Sequence, residues 1–302
     1  MNASSTCEIT IVEVGPRDGL QNEKRIVATD EKLALIALLR AARLPRLEIT
    51  AFVSPKWVPQ MADHVEILRR TPAGDDLIRS VLVPNERGAL AALAIGVEEL
   101  AIFTSASETF AQKNINCSIA ESIERFKPVA VLAREHGVRL RGYVSCTVEC
   151  PYEGSIAPQA ARDVAIALAD LGCIEISLAD TIGRAKTDGV DAMLSTVTGS
   201  LAAEKLACHF HDTFGHALDN VDVALAHGIR VFDSAIGGLG GCPYAPGAAG
   251  NLSTQPLVKH LEDKGLSTGI DIELLRQAEE FAAGLRGTNS ETQLGGGRRT
   301  SG

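Results

Sequence analysis

Aromatic side chains are nearly missing from this 302-residue chain. Phenylalanine, tryptophan and tyrosine together make up 4% of it, against 45% for all hydrophobic residues. A core of that composition rests on Ala, Val, Leu and Ile, which suits helices packed on a parallel sheet. No apolar run approaches the eighteen residues that cross a bilayer, so no membrane partner is expected. Nucleic acid is not expected either. The 29 Lys+Arg against 38 Asp+Glu leave a net charge of -9, and no basic stretch is dense enough to track a phosphate backbone. The start, MNASSTCEIT, has neither a basic segment followed by an apolar one nor an Arg-rich amphipathic pattern. No G-x-G-x-x-G opens the first helix and no G-x-x-x-x-G-K-[ST] occurs, which removes dinucleotide and P-loop readings. The seven cysteines are odd in number and scattered, and Cys146 and Cys150 have no second pair in zinc-finger spacing. A chain this long needs no disulfide staples, so reduced thiols and a cytoplasmic location are expected.

What is present is an alternation. Short β-branched runs (EITIVEV, RLEIT, IRSVLV, ELAIFTS, RLRGYVS, IEISLA, KLACHFH, RVFDSAI) are separated by helical patterns. In TDEKLALIALLRAA, Leu35, Leu38, Leu39 and Ala42 share one face. SIAESIERFKPVAVLAREHG opens with Ser118 and Glu121 in capping-box spacing and ends on Gly137. Eight strand-then-helix units predict an α/β fold, a single-domain (β/α)8 TIM barrel. IDIELLRQAEEFAAGLRG adds a C-terminal helix that extends the domain over residues 1–287. Residues 288–302, ending in LGGGRRTSG, read as a disordered tail. In such barrels chemistry sits at the C-terminal ends of the strands.

The polar motifs fall at those ends. EVGPRDGLQNE places Arg17 and Asp18 where the first strand meets its loop; alone, that stretch is also ordinary turn chemistry. In HFHD, His209 and His211 are two apart, so on a strand both rings face the same side. Asn251 follows the eighth strand, where it serves either the site or the cap of the helix NLSTQPLV. Barrel closure makes strands seven, eight and one neighbours, so Asp18, His209, His211 and Asn251 converge as candidate metal ligands. A carboxylate, two imidazoles and an amide oxygen suit Mg2+ or Mn2+ better than a thiolate-rich zinc site. Glu48, ending the second strand, either orients Arg17 or joins the metal shell. Asp180, ending the sixth, is either a buried ion-pair partner or part of the chemistry.

GGLGGCPYAPGAAGN, residues 237–251, concentrates glycine around Cys242. Glycine is costly to order, and a loop that opens, admits substrate and closes again accounts for both the glycines and an accessible thiol. The stretch reads as a lid carrying a catalytic cysteine.

Together these motifs resemble the hydroxymethylglutaryl-CoA lyase family, a group of barrel metalloenzymes related to Claisen-condensing synthases and oxo-acid aldolases. The resemblance runs from EVGPRDGLQNEKRIV through FVSPKWVPQMADH, KNINCSIAES, RGYVSC, CPYEG and HFHDTFG to the cysteine loop. It implies cleavage of 3-hydroxy-3-methylglutaryl-CoA to acetyl-CoA and acetoacetate, as in leucine degradation and ketone-body formation. A divalent cation is implied as cofactor, an acyl-CoA as partner, and a homodimer as the assembly. Arg17 is implied to neutralise the thioester enolate. Cys242 is implied to move protons with a neighbouring His or Asp, for which His209 and Asp180 are the candidates. Glu48 falls on a position tied to activity. Gln21, Lys24, Lys56 and Lys113, near the mouth, are candidate substrate contacts, the lysines for the phosphates of CoA. Two positions depart from the family pattern: Ala51 stands for a serine before Phe52, and Ala249 gives GAAGN in place of GASGN. The alternatives are a condensing synthase or aldolase of the same group, or a barrel that only binds its ligand.

Overall fold

A computed structural model describes residues 8–240 and 250–286 of the chain. Eight parallel strands close into a barrel: Thr10–Glu13, Arg46–Ala51, Ile78–Leu82, Glu99–Ser105, Arg139–Ser145, Glu175–Asp180, Leu206–Phe210 and Val231–Ser234. In space the first strand pairs with both the eighth and the second, which closes the ring. Helices alternate with the strands, and Ile272–Leu285 follows as the expected extra one, capped by Asp271. The fourth connection carries two helices, Glu108–Ile115 and Ile119–Glu135. The second of these begins behind Ser118, whose hydroxyl accepts from the Glu121 amide as its capping box demands. The residues expected to form a tail, 288–302, lie outside the described residues.

Two layers of packing hold this shape. Between strands and helices the contacts are aliphatic, as composition demands: Ile11, Leu35, Leu39, Leu47, Ile49, Leu168 and Leu257 are all buried. Inside the barrel the filling is different. Arg46, first residue of the second strand, binds Glu99 (2.9 Å) and Glu175 (2.8 Å) at the N-terminal end of the barrel. Glu175 also receives Arg141 at 2.6 Å, and Arg141 reaches Asp233 at 2.7 Å. Arg141 donates to the Tyr143 hydroxyl (2.6 Å), which donates to Glu48 (3.1 Å). A column of buried, alternating charges thus climbs the barrel axis toward its C-terminal mouth. TIM barrels usually fill this space with branched aliphatics, and the composition had suggested the same here.

Candidate active site

The first strand ends in a wide, π-helical turn, Gly15–Gly19, in which the Val14 carbonyl accepts from the Gly19 amide at 3.1 Å. The sequence suggested an ordinary loop at this place. Such a turn aims consecutive side chains differently from a tight one, and it recurs at functional sites. Here it delivers Arg17 and Asp18 to the mouth. Arg17, 7% exposed, forks between two carboxylates: Nη2 donates to Glu48 (2.7 Å) and Nη1 to Asp18 (2.8 Å). Burial alone would weaken its charge, but Glu48 and then Asp18 hold the guanidinium firmly protonated. Glu48 therefore orients the guanidinium, one of the two roles its position allowed. Burial pushes the Glu48 pKa up, and Arg17 offsets that only in part.

The seventh strand carries His209, and His211 follows just past its end. Their ring centroids lie 5.3 Å apart. Asp18, His209 and His211 each bring one ligand-type atom within 4.8 Å of the others. Asn251 pairs in a short antiparallel bridge with His211. Its Nδ2 donates to Asp18 (2.8 Å) and to the Leu239 carbonyl (3.0 Å). The following helix starts at Thr254 behind Ser253, so the alternative role of Asn251 as its cap is set aside. The sequence-derived ligand set is therefore gathered in one place.

Electrostatics divide the two imidazoles. Burial would lower the pKa of His209, but a hydrogen bond from Nδ1 to Asp233 (3.2 Å) and that carboxylate's charge raise it. His211, lowered by burial and by His209, falls to about 4 and is neutral at pH 7. Burial would raise Asp18, yet Arg17 and then His209 hold it down to about 2. An ionised carboxylate and a neutral imidazole are ligand forms. Asn251 Oδ1 and His211 Nδ1 are buried with no hydrogen-bond partner among the described residues. Orphaned buried polar atoms call for a ligand or an ion. Oxygen and imidazole donors without thiolate fit a hard divalent cation.

The remaining candidates sit as follows. Asp180, at the end of the sixth strand, accepts backbone amides such as that of Ala185 (3.0 Å). Burial raises its pKa to about 6 against the pull of the Ala185, Arg184 and Gly183 amides. Its partners are main chain, so the ion-pair alternative is not what holds it. Gln21 is half-buried just beyond the π-helical turn. Lys24 and Lys56 are exposed in the first and second loops. Lys113, expected in a loop, is exposed on the helix Glu108–Ile115, with Nζ 4.8 Å from the centre of the Tyr152 ring. Cys242 lies outside the described residues, as does Ala249; Ala51 is buried at the end of the second strand.

Sequence reasoning missed Asp233, Tyr143, Arg141 and Glu13. A signal existed: in RVFDSAI, RLRGYVS and EITIVEV a charge stands inside an otherwise apolar strand. An inward charge needs a partner on another strand.

Fold and site together define the class: a (β/α)8 barrel enzyme with an Asp–His–His cluster of metal-ligating type at its mouth. The family model described as HMGL-like matches residues 8–282, and the chain belongs to that family, one of carbon–carbon lyases. It is 50% identical over 285 residues to the cytoplasmic 3-hydroxy-3-methylglutaryl-CoA lyase of Danio rerio, spanning 94% of this chain and 85% of that protein. The crystal structure of the HMG-CoA lyase from Brucella melitensis superposes with a TM-score of 0.91 at 52% identity, covering 93% of this chain and 99% of that one. A lyase from Acinetobacter baumannii, solved with coenzyme A and 3-methylmalate, gives 0.88 at 36% identity over 99% of this chain and 100% of that one.

Proposed function

We propose that this enzyme cleaves 3-hydroxy-3-methylglutaryl-CoA to acetyl-CoA and acetoacetate. One observation carries the reading beyond family membership. The Arg17 guanidinium and the Asp18–His209–His211 cluster are joined by the 2.8 Å contact between Arg17 and Asp18. A cation for a thioester oxygen and a site for a hydroxyl and carboxylate thus stand side by side. In the reaction the C3 hydroxyl loses its proton and the C2–C3 bond breaks. Its electron pair moves into the thioester as an enolate, and C2 is then protonated.

Asp18, His209, His211 and Asn251 would hold a divalent cation, Mg2+ or Mn2+, which would supply Lewis acidity toward the substrate hydroxyl. Arg17, immobilised by Glu48, faces the charge that appears on the thioester oxygen, a contribution of about 3 kcal/mol for one preorganised donor. Protons move through Cys242 and through His209 or Asp180, whose pKa near 6 suits exchange close to neutral pH. Gln21 contacts the acyl part, and Lys24, Lys56 and Lys113 meet the CoA phosphates. The protein works in the cytoplasm as a homodimer, which light scattering at twice the chain mass tests. A spectrophotometric assay across a small panel of acyl-CoA thioesters tests the activity. Turnover of the six-carbon 3-hydroxy-3-methyl thioester above shorter ones is expected; no cleavage of any, with metal present, refutes the reading.

A further inference from the structure

Glu13 ends the first strand, is fully buried, and has no arginine or lysine among its hydrogen-bond partners within the described residues. Of the other buried acids on the barrel strands, Glu48, Glu99, Glu175 and Asp233 each face an arginine, while Asp180 accepts main-chain amides of the one loop that follows it. A carboxylate without a counter-charge is the expensive choice for an interior strand position, where an aliphatic side chain fills space at no electrostatic cost. What Glu13 does have is three hydrogen bonds to three separate segments. Oε1 accepts from the amides of Gly15 (2.7 Å) and Ile236 (2.8 Å), and Oε2 from the Thr254 hydroxyl (2.5 Å). A Cβ at Gly15 would stand 2.5 Å from Oε1, so the residue types at positions 13 and 15 are matched.

The three segments carry Asp18 and hold Asn251, whereas His209 and His211 come from the seventh strand and its end, which Glu13 does not bond. Gly15 opens the turn that delivers Arg17 and Asp18. Ile236 opens the turn Ile236–Gly238, directly followed by Leu239, whose carbonyl holds Asn251. Thr254 begins the helix three residues after Asn251, and its hydroxyl also accepts from Ser234 at 2.9 Å. The Asn251 amide is thereby suspended between Asp18 and Leu239, with each anchor tied back to the same carboxylate.

We propose that Glu13 is a positioning residue: its carboxylate sets the separation of Asp18 from Asn251 and so the fit of the site for its cation. This rests on the reading of Asp18, His209, His211 and Asn251 as metal ligands. It touches neither substrate nor ligand. The test is calorimetric titration of Mn2+ into the metal-free full-length protein, beside kinetics and thermal melting. Wild type binding no Mn2+ would overturn the metal reading itself, before Glu13 is at issue. If wild type binds, Glu13→Gln should weaken Mn2+ by about tenfold or more, the range for groups that orient ligands. It should lower kcat while leaving KM for the thioester within about twofold. A variant that melts earlier but binds Mn2+ like wild type overturns the proposal and leaves a purely structural acid. Should Glu13→Gln not fold, Thr254→Val removes one of the three bonds. A smaller loss of Mn2+ affinity supports the idea and unchanged affinity overturns it.

Discussion

Asp233→Asn is the substitution on which the architecture makes its most exposed claim. Asp233 is 2% exposed and one side chain serves four donors. Oδ1 takes Arg141 Nη2 at 2.7 Å, while Oδ2 takes Ser177 Oγ at 2.8 Å, His209 Nδ1 at 3.2 Å and Arg141 Nη1 at 3.3 Å. Asparagine keeps the shape but must turn its NH2 toward one set of partners. Turned to Arg141, it sets donor against donor. Turned to His209, it forces Nδ1 to accept, which moves the ring proton to Nε2, the nitrogen that would otherwise be available to a cation. Breaking one partner from a buried ion pair costs about 3–5 kcal/mol. Arg141 keeps Glu175 at 2.6 Å, so the lower end, about 3 kcal/mol, is expected in equilibrium urea unfolding. Metal affinity should fall about 10- to 100-fold, the effect of losing a group that orients a ligating histidine. Titration of Mn2+ into the metal-free variant measures it, with Ser177→Ala as control, since that removes a neighbouring bond without touching His209. A folded Asp233→Asn protein with wild-type Mn2+ affinity refutes the claim that Asp233 sets the His209 tautomer.

Arg17→Gln should lower kcat by about 100-fold or more, measured per folded molecule. It should also cost about 1–3 kcal/mol in urea, because Glu48 loses its guanidinium and takes up a proton instead. Cys242→Ala should reduce kcat by about 10²–10⁴-fold with Mn2+ binding unchanged; normal turnover removes the thiol from the mechanism. Replacing Lys24, Lys56 and Lys113 together with Gln should raise KM for the thioester far more than it lowers kcat, and an unchanged KM excludes them from the CoA contact. The Glu13 pKa is raised by burial to about 7 from 4.5, against the pull of Thr254, Ile236 and Gly15. A raised acid pKa means the folded state holds the proton more tightly, so this group costs nothing below pH 4.5 and its full penalty above 7. Wild-type stability should therefore drop by a few kcal/mol across that window, and Glu13→Gln should abolish that part of the slope in urea melts taken from pH 5 to 8.

The mouth of the barrel was legible because its signals are local. His209 and His211 at a spacing of two, Arg17 and Asp18 at a strand end, and Asn251 after the glycine stretch need only one rule, that chemistry gathers at the C-terminal ends of the strands. The helices were legible for the same reason: the Ser118 box and the Leu35–Leu39 stripe are read within one turn or two. The π-helical form of Gly15–Gly19 was not, because Gly-Pro-Arg-Asp-Gly fits several turns and only packing against Glu13 and Leu239 selects among them. Nor was the filling of the barrel. Each inward charge is a single letter in its own strand, and the partner that makes Arg46 tolerable stands 129 positions away in Glu175.

That column also explains why the site cannot be treated as a set of independent side chains. Asp233 binds Arg141 below and His209 above; Glu48 binds Tyr143 on one side and Arg17 on the other. Each acid is shared between a group deeper in the barrel and a group at its mouth. In a low-dielectric interior, moving one of these charges changes the balance on the next, because unpaired buried charge is far costlier than paired. The two-fold sharing gives an ordering that pairwise contacts alone would not. Perturbations at Arg46 or Glu99, far down the barrel, should reach His209 only through Glu175, Arg141 and Asp233, and so weaken with each step. Changes at Glu48 or Asp233 act one bond from the site and should be felt there in full.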